Sequence, residues 1–282
     1  MEYAGGNEAA FACLCENIGD IVPFVGAGMS AFAYPCWSDF LKYSAKNLEN
    51  EDKRRVSELI NLFEYEDAAE LIEKKHGPEL FREDIKKAFG TYVITSKKAS
   101  ESIKNQAVWL LPDLFRTLVL TTNFDRILEH VYRLRGTAFK NVGHPRQSEI
   151  LKEALMEESC PCLFKFHGDI ESPERLVLTK KRYEECYRGG GSLVRELEAV
   201  FAKRSILFLG CSLSRDRTMA VIEKMFNRGV THYAILGCNG NEIEKKQYEI
   251  NEKGMKAILY PEKEYGAVKI ILENLAENVN FQ

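Results

Sequence analysis

The sequence contains no long hydrophobic run and no strongly basic segment. Since no stretch of about 18 uncharged apolar residues occurs, no membrane-spanning helix is predicted. The first 20 residues carry acidic side chains where a secretory signal peptide has a basic start and an apolar centre. We therefore expect a cytosolic protein that binds no membrane. The 39 Lys and Arg against 42 Asp and Glu disfavour nucleic-acid binding, because no basic stretch is present to contact phosphates.

The eight cysteines form no C-x-x-C pair, although two C-x-C pairs occur, Cys13 with Cys15 and Cys160 with Cys162. Structural zinc sites need paired ligands at hairpin spacing, so zinc is disfavoured. In a chain of 282 residues the cysteines are more typical of reduced, mostly buried thiols than of a disulfide scaffold. A hydrophobic content of 45% excludes a disordered chain.

Short β-rich apolar runs alternate with longer stretches of helical periodicity, which is typical of an α/β fold with a parallel sheet covered by helices. The predicted strands are Ile21–Val25, Thr117–Thr121, Leu163–Phe166, Arg175–Leu178, Ser205–Leu209, Thr231–Leu236 and Met255–Tyr260. The predicted helices are Glu8–Ile18, Trp37–Leu48, Asp125–Arg135, Leu193–Lys203, Asp216–Arg228, Glu242–Glu252 and Tyr265–Glu277.

Two segments interrupt this alternation. Residues 51–111 hold charged stretches with apolar residues at helical spacing, which predicts a helical insertion. Residues 136–160 are polar and predict a loop with one short helix. We therefore predict one domain over residues 1–282, with its core at 1–50 and 112–282.

A glycine-rich turn follows the first predicted strand, with the sequence Gly26-Ala27-Gly28-Met29-Ser30. Glycines allow the backbone to approach a pyrophosphate closely, and amides at a following helix start would face its charge. The turn lacks the third glycine of the dinucleotide fingerprint and the Gly-Lys-Ser ending of a P-loop, which disfavours a kinase or GTPase. A tight turn without a ligand explains the motif equally well.

Polar residues also follow a second strand, as Thr122-Asn123-Phe124-Asp125. In open α/β sheets, ligands bind beyond the carboxyl ends of the strands, where these side chains would emerge. The alternative is that Asn123 or Asp125 caps the next helix, and for this motif alone capping is favoured.

Two more strand ends complete the set of candidate motifs. His167 follows the strand Leu163–Phe166 and precedes Gly168, and an imidazole with an ordinary pKa of about 6.5 suits a general base. A structural histidine is the alternative. The turn after Ser205–Leu209, which contains Gly210 and Ser212, is a second candidate for binding phosphate or ribose.

In this order along nearly the whole chain, the four motifs resemble those of sirtuins, specifically the divergent sirtuin-like branch found in bacterial anti-phage defence proteins. The resemblance implies a Rossmann-like parallel sheet with helices on both faces, and a small helical module at residues 51–111. It implies that Asn123 and His167 are catalytic, with His167 as the base. It also implies that eight residues bind NAD, namely Gly26, Ala27, Gly28, Ser30, Thr122, Asp125, Gly210 and Ser212.

The sequence departs from protein-deacylating sirtuins at three points. The two C-x-x-C pairs of their zinc module are missing, since only Cys160 and Cys162 lie between Asn123 and Asp169. Thr122 replaces the glutamine that usually precedes the catalytic asparagine, and the Asp-Phe-Arg cofactor segment is absent. We therefore predict a zinc-free NAD hydrolase that releases nicotinamide and ADP-ribose.

The resemblance also implies a biological setting, in which the chain is the NAD-depleting effector of an anti-phage defence system. Relatives of this kind are commonly homo-oligomers restrained until a partner, a fused sensor or an infection signal acts. One alternative is a zinc-free NAD-dependent protein deacylase or ADP-ribosyltransferase. Another is a non-catalytic module that binds NAD or ADP-ribose, which the joint presence of Asn123 and His167 disfavours.

Overall fold

A seven-stranded, entirely parallel sheet forms the centre of the computed structural model, which describes residues 4–90, 101–157, 161–213, 221–226 and 229–280. The strand order is β3-β4-β2-β1-β5-β6-β7. The strands are β1 Ile21–Val25, β2 Leu118–Thr121, β3 Asn141–Gly143, β4 Cys162–Lys165, β5 Ser205–Leu209, β6 His232–Cys238 and β7 Met255–Pro261. The predicted parallel α/β fold is confirmed.

Helices cover both faces of the sheet. They are α1 Ala4–Glu16, α2 Trp37–Ser44, α3 Asn50–Asn61, α4 Tyr65–His76, α5 Pro78–Phe89, α6 Leu111–Leu114, α7 Ile127–Leu134, α8 Glu149–Met156, α9 Lys180–Cys186, α10 Ser192–Lys203, α11 Ile243–Glu252 and α12 Gly266–Asn280. Within the described ranges, none of the helices has the length and apolar character needed to cross a membrane.

The two apolar layers follow from the alternation of side chains along each strand. In β1, Ile21 and Val25 belong to one buried cluster, and Val22 and Phe24 belong to the other. The first cluster is covered by α1 to α7 with α12, and the second by α8 to α11. The sheet therefore has the two-sided, Rossmann-like architecture that the sequence predicts.

Strand β1 lies between β2 and β5, and the chain builds the sheet outward from it in both directions. On one side stand β2, β4 and β3, and on the other β5, β6 and β7. In such sheets a crevice opens at the carboxyl ends of the strands where the order reverses. Here that position is the end of β1 and β5, which carry the two predicted glycine turns.

Three sequence expectations need correction or remain outside the described residues. The strand predicted at Arg175–Leu178 is wrong, because this stretch begins in a 3-10 turn and pairs with none of the strands in the described part of the chain. Its apolar residues Leu176, Val177 and Leu178 are buried, and burial alone produces the same apolar run. The short strand β3 was missed inside the segment predicted as a loop, where α8 is the expected short helix. The helix predicted at Asp216–Arg228 lies largely outside the described residues.

The segment predicted as an insertion forms α3, α4 and α5 over residues 50–89. Two ion pairs join α4 to α9, Asp67 with Lys180 at 3.0 Å and Glu73 with Arg182 at 3.1 Å. The segment also contacts the turn after β2, since the ring of Phe89 lies 4.8 Å from that of Phe124. The division of the chain into core and insertion stays a prediction.

His232, the first residue of β6, is a fully buried histidine. Its Nδ1 accepts a hydrogen bond from the Ile206 amide at 3.2 Å, and its ring centroid lies 4.4 Å from that of Phe226, with the two rings tilted by 30°. Its Nε2 has no hydrogen-bond partner among the described residues. Burial lowers the pKa of His232 from 6.5 to about 4, so the imidazole is neutral in the folded protein at neutral pH.

In the unfolded chain the imidazole of His232 takes up a proton below about pH 6.5, whereas in the folded protein it does so only near pH 4. The free energy of unfolding should therefore fall as the pH decreases from 6.5 towards 4. Between pH 7.5 and pH 5.0 we expect His232 to account for a loss of about 2 kcal/mol. Urea unfolding of the wild type and of His232→Asn at both pH values measures this loss. Asn keeps an acceptor near the Ile206 amide and does not titrate, so the variant should lose about 2 kcal/mol less unfolding free energy than the wild type between the two pH values. Equal losses in both proteins would show that His232 does not control the acid sensitivity.

Candidate active site at the carboxyl ends of the strands

The turns after β1 and β5 pack backbone against backbone. The amide of Gly26 donates to the Leu209 carbonyl at 2.8 Å, and that of Gly28 donates to the Gly210 carbonyl at 2.9 Å. A Cβ at position 28 would lie 2.9 Å from Gly210 Cα. Gly210 has a φ of +65°, and a Cβ there would lie 2.6 Å from the Met29 nitrogen. Loop packing therefore explains all three glycines whether or not a ligand binds here.

Residues Ala27–Met29 form a 3-10 turn rather than the start of an α-helix. The amides of Met29 and Ser30 donate to the carbonyls of Gly26 and Ala27, at 3.1 and 3.0 Å. Of the amides from Gly26 to Ser30, that of the exposed Ala27 has no acceptor among the described residues. It is the backbone donor of this turn that remains for a ligand.

Asn123 connects the turn after β2 to the glycine-rich turn. Its Nδ2 donates to the Gly26 carbonyl at 3.1 Å and to Ser30 Oγ at 3.0 Å. Its own amide donates to Thr121 Oγ1, whose hydroxyl in turn donates to the Val25 carbonyl. Both Nδ2 protons are thus used inside the protein, and the capacity left for a ligand is that of Oδ1, an acceptor. Among the described contacts, the amide at the start of the following helix, that of Ile127, donates to Asp125 and not to Asn123.

Asp125 does cap a helix, because its Oδ1 accepts the Ile127 amide in the first turn of α7 at 2.9 Å. The residue is 7% exposed. Burial raises the pKa of its carboxyl group, while the Ile127 amide, Lys165 and a hydrogen bond with Ser30 oppose that rise. The capping interpretation therefore holds for Asp125, which also faces the same serine as Asn123.

His167 lies in the turn that follows β4, where the resemblance predicts a catalytic base. It keeps partial solvent contact, yet the surrounding protein lowers the pKa of its imidazole from 6.5 to about 4 by burial, against a hydrogen bond with the Thr122 backbone that raises it. The imidazole is therefore neutral at physiological pH. The hydrogen bond joins His167 to the backbone of Thr122, the residue that precedes Asn123.

Gly210 and Ser212 lie at the same edge of the sheet, in the turn after β5. Gly210 contacts the glycine-rich turn, whereas Ser212 is exposed. Residues 214–220, which follow Ser212, lie outside the described ranges. The structure thus gathers the predicted residues at one edge, while their roles towards NAD stay predictions.

Lys165 is the residue of this site that the sequence reasoning missed. It is the last residue of β4 and is 1% exposed. Its Nζ donates to Glu129 Oε1 at 2.9 Å and to Asp169 Oδ2 at 3.0 Å. Burial acts to lower the pKa of Lys165, but these two carboxylates outweigh it and the net shift is upward. The available signal was a lysine inside an otherwise apolar strand.

Arg126 lies on the outer side of the same charge cluster. Its guanidinium contacts Glu129 at 3.1 Å and Asp169 at 3.4 Å. Glu129 is 9% exposed, and its Oε2 has no partner among the described residues. Across the described ranges, no group of three or more His, Cys, Asp and Glu side chains is placed to hold a metal ion.

A cavity of about 330 Å³ lies at the amino ends of β5, β6 and β7 and is lined by none of the predicted site residues. Among its lining residues are Cys13, Asn17, Lys203, Tyr233 and Lys256. The candidate site and this cavity are thus separated by the length of the strands.

A family model described as a SIR2-like domain matches residues 117–258. The chain belongs to the SIR2-like family. The matched stretch includes β2 to β6 and the turns that carry Asn123, His167 and Gly210. The predicted sirtuin-like identity is confirmed.

Two curated relatives of this SIR2-like chain are named NAD(+) hydrolase ThsA. The one from Acinetobacter baumannii (strain 532279) is 26% identical over 195 residues, which cover 68% of this chain and 36% of the relative. The one from Cytobacillus dafuensis is 25% identical over 233 residues, covering 80% and 42%. The chain thus spans less than half the length of these relatives.

One solved structure also aligns with this chain. It is titled "Structural Basis for the Mechanism and Regulation of Sir2 Enzymes", and the alignment covers 97% of this chain and 98% of that one, with a TM-score of 0.43 and 12% identity.

The close approach of the two glycine turns predicts the effect of adding a single methyl group. Gly210→Ala meets both a positive φ and a contact of 2.6 Å with the Met29 nitrogen. Gly254→Ala is a matched control, because Gly254 has a φ of +74° and nothing within 4 Å of an added Cβ. We expect the control to lose about 1 kcal/mol of unfolding free energy, and Gly210→Ala at least about 1 kcal/mol more. Chemical denaturation measures both, and equal losses would contradict the described packing.

Proposed function

We propose that this chain hydrolyses NAD at the bond between nicotinamide and ribose, releasing nicotinamide and ADP-ribose. The observation that carries the proposal is the position of Asn123, hydrogen-bonded to the glycine-rich turn, on the same edge of the sheet as a neutral His167. The similarity to two proteins named NAD(+) hydrolase supports it.

The reaction makes few demands on the protein. Nicotinamide leaves as a neutral molecule from a cationic ring, so the site must hold the ribose, stabilise an oxocarbenium-like centre and position a nucleophile. The Oδ1 of Asn123 accepts a hydrogen bond from the attacking water or a ribose hydroxyl. His167 accepts the proton of that water or hydroxyl, for which its neutral state is required. Asp125 orients the carboxamide of nicotinamide.

The remaining predicted residues hold the rest of the dinucleotide in this proposal. The Ala27 amide supplies a donor for the pyrophosphate, within a turn whose shape Gly26, Gly28 and Ser30 determine. Gly210 and Ser212 contact the phosphate and ribose from the β5 side, and Thr122 lies beside Asn123. No zinc takes part.

We also propose that the protein acts in the cytosol as the NAD-depleting effector of an anti-phage system, as a homo-oligomer. Its trigger is a separate partner or a fused sensor. What supports this setting is the resemblance of the motifs to sirtuin-like defence proteins, together with relatives that extend well beyond the region of similarity.

Removing either catalytic side chain tests the proposal. We expect His167→Ala and Asn123→Ala each to lower the rate of nicotinamide release at least about 100-fold, because the base or the positioned acceptor is lost. Purified protein is incubated with NAD alone, and nicotinamide and ADP-ribose are separated by chromatography. His76→Ala, on α4, is the control and should keep the wild-type rate.

Wild-type turnover in either site variant would show that the catalytic assignment is wrong. Nicotinamide release only with an acylated peptide, or transfer of label onto protein, would favour a deacylase or ADP-ribosyltransferase. Intact NAD with measurable binding, at high protein concentration as well, would favour a binding module.

A further inference from the structure

A single buried ammonium group joins the turn that carries Asn123 to the turn that carries His167. We propose that Lys165 is a positioning residue for the reaction, which fixes these two turns relative to each other. The inference rests on the proposed function for its chemistry, while the positioning itself follows from contacts of the chain.

The contacts of Lys165 reach both turns from one atom. On the β2 side, its Nζ donates to the carbonyl of Asp125 at 2.6 Å and to that of Phe124 at 3.3 Å. On the β4 side, it donates to Asp169 Oδ2 at 3.0 Å. Since Lys165 is itself two residues before His167, its backbone carries one catalytic turn while its side chain holds the other.

Neighbouring contacts allow this link to act on Asn123. The peptide group between Phe124 and Asp125, one residue beyond Asn123, is held at the Phe124 carbonyl by Lys165 and also by the Ile170 amide at 2.9 Å. The ring of Phe124 packs against Phe89 and Trp37. Without the ammonium, the Asp125 carbonyl loses the Lys165 donor, and Glu129 and Asp169 lose the cation between them while keeping their contacts with Arg126. The turn would then shift to recover those hydrogen bonds.

A gain in stability does not explain this cluster by itself. Buried ion pairs are often no more stabilising than apolar side chains of similar volume, because both charges lose their hydration. An apolar residue at position 165 would continue the apolar pattern of β4. What the lysine adds is directed hydrogen bonding to two carbonyls, and a charge that favours the ionised form of Asp125 by lowering its pKa against burial.

The test is a charge-balanced double variant, Lys165→Met/Glu129→Gln, which removes the ammonium without leaving its main carboxylate partner ionised and buried. The control away from the site is Lys253→Met/Glu223→Gln, a partly exposed ion pair that joins the end of α11 to the segment before β6. Three quantities are measured for each: unfolding free energy, kcat and KM for NAD cleavage, and hydrogen exchange of the peptide spanning residues 118–128.

We expect the Lys165 variant to lose about 10- to 100-fold in kcat, the range that misplacement by about 1 Å produces. We expect exchange in residues 122–125 to rise at least about 10-fold, because the turn opens more often. The control should keep the wild-type kcat and the wild-type exchange rate in residues 122–125. If the Lys165 variant does not fold, Asp169→Asn, which loosens the tie to the β4 turn alone, should lower kcat and speed exchange in residues 166–176.

Wild-type kcat with wild-type exchange in a folded Lys165 variant would overturn the proposal. Faster exchange with unchanged kcat would overturn it too, since Lys165 would then be only structural. If the wild type itself releases no nicotinamide, the proposed function fails, and hydrogen exchange still decides whether Lys165 holds the turn.

Discussion

The contact between the turns after β1 and β5 is the constraint on which the candidate site depends. Gly26 and Gly28 on one side and Gly210 on the other bring two backbones together at the point where the strand order reverses. The Gly26 carbonyl, fixed in this way, is one acceptor for Asn123. The position of Asn123 therefore depends on a close packing of two main chains.

The central strands were predictable because their burial is complete. The bounds of β1 and β5 match the predictions, since both are apolar runs that end at a glycine. The edge strand β3 was not predictable, because three residues contain too little periodicity. Arg175–Leu178 shows the converse case, in which buried residues beside the sheet have the apolar pattern of a strand without pairing.

The residues of the site were easier to predict than their connections. The motifs around Asn123 and His167 could be recognised in sequence because each follows an apolar strand. That Asp125 caps α7 while Asn123 binds the glycine-rich turn depends on φ and ψ values in one turn, which the residue types do not determine. Asp169 follows Lys165 by four residues, but Glu129 and the carbonyls of Phe124 and Asp125 lie 36 to 41 residues before it, so no local pattern indicates the whole set of partners.

The central claim is that NAD binds at the carboxyl edge of the sheet, and hydrogen exchange with bound substrate tests it most directly. His167→Ala, which we expect to hold NAD uncleaved, is compared with and without NAD. The account predicts slower exchange in residues 26–30 and 122–125, and no change around Cys13 and Lys256 in the cavity at the other edge. Protection of that cavity with none at the glycine-rich turn would contradict the account.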